Sequence, residues 1–337
     1  MAAEVDLRDK HVFVTGATGF LGSHLVMHLT TLGARITALT RRPERDRYIR
    51  DLPNITIVQG DVTKLATMQS LITPDVDYVF HVAAVLSGSL DHQRKVNVVG
   101  TENVVRASAN ANVKRLIHIS TIAVYGYGHQ TDITETSSFT SSGDPYVISK
   151  QEAEARLIQV ASETNLQSYS IIRPGMIYGP RAPMWTKNVM RLASITPTPW
   201  LGKGDGLCYP IYVDDVINQM LLQAVLPEAH NDVFNATPDP SPTWREYIGE
   251  YQKLTGKTRW LSLPYRILYG LVKLAVTPAA LLRGQDFFLL ELLRYTQSTV
   301  TYRMDKARDR LRWQPQVGLA EGVQKCVPYL REKGFLN

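Results

Sequence analysis

The stretch HVFVTGATGFLGSHLVMHLTTLGA, residues 11–34, runs from an apolar segment through a glycine-rich turn into a helical pattern. Val12, Phe13 and Val14 suit a parallel strand buried on both faces, because such strands read as continuous apolar runs. Leu21, Leu25, Met27, Leu29 and Leu32 follow at near-helical spacing, and Gly33 offers a C-terminal stop. Between the two, Gly16, Gly19 and Gly22 stand three residues apart. Glycine at these places permits a tight turn, lets backbone N–H groups approach a pyrophosphate, and allows the helix to pack closely on the strand. The helix N-terminus adds its partial positive charge. Alone the glycine pattern is a weak signal; closing an N-terminal strand and opening a helix, it predicts a dinucleotide site.

Outward from this unit, apolar runs recur at residues 35–40, 55–58, 78–82, 115–119 and 168–172, with helical patterns between most of them, as over 98–110 and 151–163. Strands alternating with helices predict an α/β fold with a Rossmann-type, doubly wound parallel sheet. After Arg173 the rhythm changes: Pro180, Pro183, Pro197 and Pro199 break up the chain before Ile211-Tyr212-Val213, and helical segments dominate after Thr243. The expected organisation is a nucleotide-binding domain over 8–180, completed by 208–237, and a smaller, mostly helical substrate lobe made of 181–207 and 238–330.

The chain has 337 residues, of which 44% are hydrophobic, enough for a sizeable core and too many for wholesale disorder. A net charge of +6 fits phosphate or other anionic ligands, an acidic membrane surface, or an ordinary solubilising exterior. Cys208 and Cys326 match neither a metal-ligand spacing nor a disulfide framework, which fits a reducing compartment. Residues 1–10 show no apolar secretion signal, so a cytoplasmic location is expected. No basic-aromatic cluster points to nucleic acid. The most apolar stretch, 261–282, is interrupted by Pro264, Arg266, Lys273 and Pro278, which disfavours a transmembrane span. It reads as a core-packing helix of the lobe, a wall of an apolar substrate pocket, or an interfacial membrane contact.

The acidic residue that would bind an unphosphorylated ribose is missing; the second apolar run ends in Thr40-Arg41-Arg42. Guanidinium groups pair with a 2′-phosphate that a carboxylate would repel. NADP is therefore the preferred cofactor, with NAD as the fallback, unless both arginines are merely a solvated basic loop.

At this point the chain resembles the extended short-chain dehydrogenase/reductase family. TGATGFLG (residues 15–22) is similar to that family's dinucleotide fingerprint, Asp61-Val62 to its adenine-contacting pair, and His81-Val82-Ala83-Ala84 to its fourth-strand motif. Asn97 with Gly100-Thr101, Arg173-Pro174 with Tyr178-Gly179-Pro180, and Trp313-Gln314-Pro315 with Glu321-Gly322 resemble further family motifs, so the likeness runs from about His11 to Val323. The resemblance implies cofactor contacts from Gly16, Thr18, Gly19, Phe20 and Leu21, from Arg41 and Arg42, from Asp61 and Val62, and from Ala83, Ala84 and Pro174. It also implies a homodimer through helices around 98–110 and 151–163.

Tyr146 and Lys150 are four apart, so a helix places them on one face. A free phenol titrates near 10, too high for a base at neutral pH, and a neighbouring ammonium favours its ionised form. By resemblance the catalytic hydroxyl falls three residues before Val124, which selects Thr121, with Ser120 as the alternative. Together Thr121, Tyr146 and Lys150 would move a proton at an oxygen while hydride passes at carbon, and by resemblance all three also touch the cofactor.

The substrate is less legible. Sugar-nucleotide members of the family carry an arginine for the substrate diphosphate where this chain has Cys208. Dehydratase members place a Glu shortly after the hydroxyl, where this chain has Ile122 and Ala123. Arg181, Lys187, Arg191 and Lys203 remain as cations for an anion. The 261–282 stretch and Trp185, Trp200 and Trp260 favour an apolar alcohol or ketone, similar to the 3β-hydroxysteroid dehydrogenase and ketone reductase branch. A nucleotide-sugar epimerase or dehydratase is the alternative, and a catalytically silent NADP sensor the alternative of another class.

Overall fold

The computed structural model describes residues 5–126, 131–140, 143–265, 267, 269, 270, 293 and 295–336. Its central strands are β1 (His11–Thr15), β2 (Arg35–Thr40), β3 (Ile55–Gln59), β4 (Tyr78–His81), β5 (Arg115–Ile119) and β6 (Tyr169–Pro174). Later come β7 (Met176–Tyr178), β8 (Thr198–Leu201), β9 (Pro210–Tyr212), β10 (Asp232–Ala236) and β11 (Trp260–Leu263). Seven of them form one sheet in the order β3-β2-β1-β4-β5-β6-β10, parallel at every pairing. This is the Rossmann-type sheet that the alternation predicts. The strand order reverses between β1 and β4, and a crevice opens there beyond the carboxyl ends of the strands, where such sheets bind ligands.

Residues of β1 alternate between two cores. Val12 and Val14 face a cluster with Leu25 and Ile217, while Phe13 faces one with Val79, Val104 and Leu157. A strand covered on both sides must be apolar on both, and all five residues of β1 are buried. The helices on those faces include α1 (Phe20–Thr31), α2 (Leu65–Leu71), α3 (Leu90–Gln93), α4 (Gly100–Asn110) and α5 (Pro145–Glu163). After them come α6 (Val189–Ala193), α7 (Val213–Val225) and α8 (Trp244–Thr255). Helix α5 starts where its chemistry dictates: Asp144 accepts the Tyr146 N–H at 2.8 Å, and Pro145 occupies the first helical position.

Two buried polar assemblies tie distant segments together. Arg173 on β6 pairs with Glu154 on α5 at 2.6 Å and donates to the Tyr125 hydroxyl at 2.7 Å. That hydroxyl donates to Asn235 on β10 at 2.8 Å. Despite burial, which opposes the charge, Glu154 holds the Arg173 guanidinium above its ordinary pKa. The second assembly is a clasp. Asp215 at the start of α7 accepts the backbone N–H groups of Gln316 and Val317 at 2.9 and 3.1 Å, and the Trp313 indole donates to the Asp215 carbonyl at 3.1 Å. The C-terminal motif is thus latched onto the first turn of α7.

One expectation changes. The apolar stretch from residue 261 begins as a strand, since Leu261–Leu263 complete β11 beside β8. The described residues Tyr265, Ile267, Tyr269 and Gly270 are helical, while residues 266, 268 and 271–282, and with them the rest of the helical reading, lie outside the described residues. Among the described residues, no helix is long and apolar enough to cross a membrane.

Candidate active site

A cavity of about 800 Å³ opens over the carboxyl ends of β1, β2, β4, β5 and β6. The loop after β1 forms its floor. Gly16 has φ +68°, and a Cβ there would lie 2.8 Å from the Ala83 nitrogen; a Cβ on Gly22 would lie 2.2 Å from the Gly16 carbonyl oxygen. The turn therefore tolerates no side chain at either end, and the first turn of α1 sits directly on it. Nothing but glycine brings a helix N-terminus this close to a strand end, and the resulting cradle fits a pyrophosphate.

All the expected cofactor contacts but one line this cavity: Gly16, Thr18, Gly19, Phe20 and Leu21 on the floor, and Arg41 and Arg42 at the end of β2. Val62, Ala83, Ala84 and Pro174 line its walls. Asp61 does not line it; its carboxylate accepts the Thr63 N–H at 2.9 Å and closes the turn before α2. Arg45, which the sequence reading passed over, joins Arg41 and Arg42 there, and the three are exposed. Among the described lining residues no carboxylate occurs, and the charged ones are Arg41, Arg42, Arg45 and Lys150.

Thr121, Tyr146 and Lys150 converge on the same cavity. Thr121 caps the short turn Ile122–Tyr125, accepting the Ala123 N–H at 3.2 Å, and its hydroxyl is hydrogen-bonded to the Tyr146 phenol. Burial pushes that phenol up to about 12, the Thr121 bond lowering it and the nearby Asp144 carboxylate raising it further. Lys150 is buried, and its ammonium donates to the Ile119 carbonyl at 2.6 Å and lies 3.2 Å from His118 Nε2. Burial lowers its pKa to about 8, with Glu154 opposing. A neighbouring ammonium would pull the phenol down, but here burial is the larger influence and pushes it up. Ser120 also lines the cavity, and its buried hydroxyl has no partner among the described residues.

The far end of the cavity, toward the lobe, is apolar: Leu86, Ile122, Met184, Trp185, Tyr295 and Tyr302 line it. Arg181, Lys187, Arg191 and Lys203 do not; Arg181 instead lies over the Tyr48 ring at 4.2 Å, and Arg191 over Phe335 at 5.7 Å. Cys208 is wholly buried in the core with its thiol directed to the Pro242 carbonyl. Of the three tryptophans singled out, only Trp185 reaches the cavity; Trp200 packs between Trp244 and Trp260 at ring separations of 5.2 and 6.1 Å.

The sequence model described as the NAD dependent epimerase/dehydratase family matches residues 12–236, which hold every residue of the triad and of the glycine loop. The chain belongs to that family. It is an NAD(P)-dependent oxidoreductase of the epimerase/dehydratase type. Curated members do not separate its activity. A UDP-glucose 4-epimerase of Vibrio cholerae is 26% identical over 94% of each chain. A 2-alkyl-3-oxoalkanoate reductase of Stenotrophomonas maltophilia is 26% identical over 93% of this chain and 97% of its own. An epimerase structure from Methanothermobacter thermautotrophicus shares the fold with a TM-score of 0.80, at 22% identity and covering 97% of this chain and 94% of that one.

Proposed function

We propose that this family member reduces a ketone on an apolar substrate, or oxidises the matching secondary alcohol, with NADP(H). The observation that carries the reading is the division of cations around the cavity. Apart from Lys150, the described cationic lining residues cluster at the end of β2, and the lobe end is walled by Leu86, Met184, Trp185, Tyr295 and Tyr302. Three arginines suit the extra phosphate of NADP, while an apolar wall offers a sugar diphosphate nothing to pair with.

The bound cofactor supplies or accepts the hydride. The chain's own residues handle the oxygen. In reduction, the Tyr146 phenol gives its proton to the substrate oxygen as negative charge develops there, and the Thr121 hydroxyl donates a hydrogen bond to the same oxygen. Burial pushes the phenol up to about 12, so it carries its proton at neutral pH and can act as the donor. Lys150 offsets the charge left on Tyr146 once the proton has gone. The lobe end excludes water and positions the carbon skeleton, in keeping with a substrate domain over 181–207 and 238–330 beside a nucleotide domain over 8–180 and 208–237.

The test is cofactor oxidation by the purified protein, with NADPH and NADH run separately against steroid and other apolar ketones, aromatic aldehydes and nucleotide sugars. NADPH-dependent reduction of an apolar ketone is the expected outcome. Conversion of a nucleotide sugar without net cofactor consumption would replace this reading with the epimerase one; the chain is as similar to the Vibrio enzyme as to the Stenotrophomonas reductase. We also propose a homodimer: Val99, just before α4, and Ile158, within α5, are apolar and 43% and 44% exposed. Light scattering of the purified protein should give twice the chain mass, and a monomer would reject it.

A further inference from the structure

Behind the triad lie two buried histidines, side by side on adjacent strands. His81 on β4 and His118 on β5 are register partners with ring centroids 5.3 Å apart. Hydrogen-bond counting fixes the first. Thr15 Oγ1 accepts the N–H groups of Val82 and Ala83, both at 3.1 Å, so its own proton must go to His81 Nδ1 at 2.8 Å. Thr101 donates to the Asn97 carbonyl at 2.6 Å and so accepts from His81 Nε2 at 3.0 Å. His81 is locked as the neutral ring protonated on Nε2, and burial keeps it neutral, holding its pKa near 3.

His118 is different. Its Nε2 faces the Lys150 ammonium at 3.2 Å, and its Nδ1 is buried with no partner among the described residues. Two donors cannot face each other, so a charged Lys150 requires a bare Nε2 and a proton on Nδ1. The fold leaves that Nδ1–H unsatisfied, a cost that an apolar side chain at this position would avoid. We propose that His118 is a positioning residue for Lys150: with Ile119 O it takes two of the three ammonium protons, leaving a single N–H for the cavity. The inference rests on the reading of Lys150 as part of the reacting site, but its test does not need turnover. The titratable groups around the pair are His81 on β4, Tyr146 and Glu154 on α5, and Arg173 on β6, whose charge is matched by Glu154.

Two measurements on the whole protein decide it. In ¹⁵N-histidine-labelled wild type, with His118 assigned by comparison with His118→Gln, the ring should stay neutral and protonated on Nδ1 between about pH 6 and pH 8, where free histidine would titrate. A proton on Nε2 would overturn the proposal. In ¹³C-lysine-labelled protein, the Lys150 side chain should titrate near pH 8 in wild type. That midpoint should fall by about one pH unit, tenfold in the dissociation constant, in His118→Phe, and return in His118→Gln, whose amide oxygen is an acceptor. An unmoved midpoint in a folded His118→Phe protein would reduce His118 to packing and overturn the proposal. Absence of ketone reduction in the substrate panel would strike the function reading alone, since both spectra are recorded without substrate.

Discussion

The two ends of the cavity are built on different principles. The end at β1 and β2 is made of backbone: a glycine loop, a helix N-terminus and a strand end, with arginines added at the rim. The lobe end is made of side chains brought from places as far apart as Leu86, Trp185 and Tyr302. The first fits one kind of ligand because its shape follows from steric limits on the main chain. The second is a surface that any set of apolar residues of similar size would reproduce, so it can change its ligand without disturbing the fold.

The sharpest break in this comparison comes where the two ends meet. Tyr146→Phe should cut turnover by about 10²- to 10⁴-fold while NADPH binding, followed by its fluorescence, persists; wild-type rates would reject Tyr146 as the proton donor. On the backbone-built end, Gly22→Ala sets a methyl 2.2 Å from the Gly16 carbonyl oxygen, so cofactor binding in a fluorescence titration should be abolished. Arg41→Ala with Arg42→Ala removes charge-assisted bonds and should lower the preference for NADPH over NADH by about 10- to 100-fold, with NADH turnover kept. On the side-chain-built end, Trp185→Ala should raise KM for an apolar ketone by about tenfold and leave cofactor affinity as it was.

The smallest effect is on stability. Lys150 titrates near 8 in the fold against an ordinary 10.5, a lowered value for a cation, so the folded state binds fewer protons than the unfolded one between those limits. Stability then rises with pH across that window, and below pH 8 the full cost of burying the charge, about 3 kcal/mol, is present. Lys150→Met should therefore melt several degrees higher than wild type at pH 7, with the gain shrinking as pH climbs toward 10. A gain that does not depend on pH would point to packing instead.

How much the sequence disclosed follows the same division. Gly16 and Gly22 are readable because no other residue meets the steric demand at those positions. Val12, Phe13 and Val14 are readable because a doubly covered strand needs apolar residues without alternation. Tyr146 and Lys150 stand out only beside the glycine loop and the fifth strand, since their spacing alone recurs by chance; α5 brings both to the cavity. The lobe end is not, because Met184, Tyr295 and Tyr302 are ordinary core residue types and only the fold tells a wall from an interior. Trp200 and Trp260 illustrate the confusion: their composition pointed to a pocket, and their place is an aromatic stack beside it. Asp61 shows the converse, a carboxylate whose local turn consumes one of its oxygens. His118 carries no signal in an apolar strand until its neighbour on α5, Lys150, is known.

The sheet also sets an order on biosynthesis. Its last strand, β10, lies beside β6 but follows it by the whole of the segment between Pro174 and Asp232. At translation speeds of about 5–20 residues per second, the growing chain holds β6 as an open edge for several seconds. During that interval the backbone of Tyr169–Pro174 presents unpaired hydrogen-bonding groups, and Arg173 lacks the Tyr125–Asn235 bridge that later fixes it. Until β10 is made, the open side of the sheet is the one that carries Arg173, the ionic partner of Glu154 on α5.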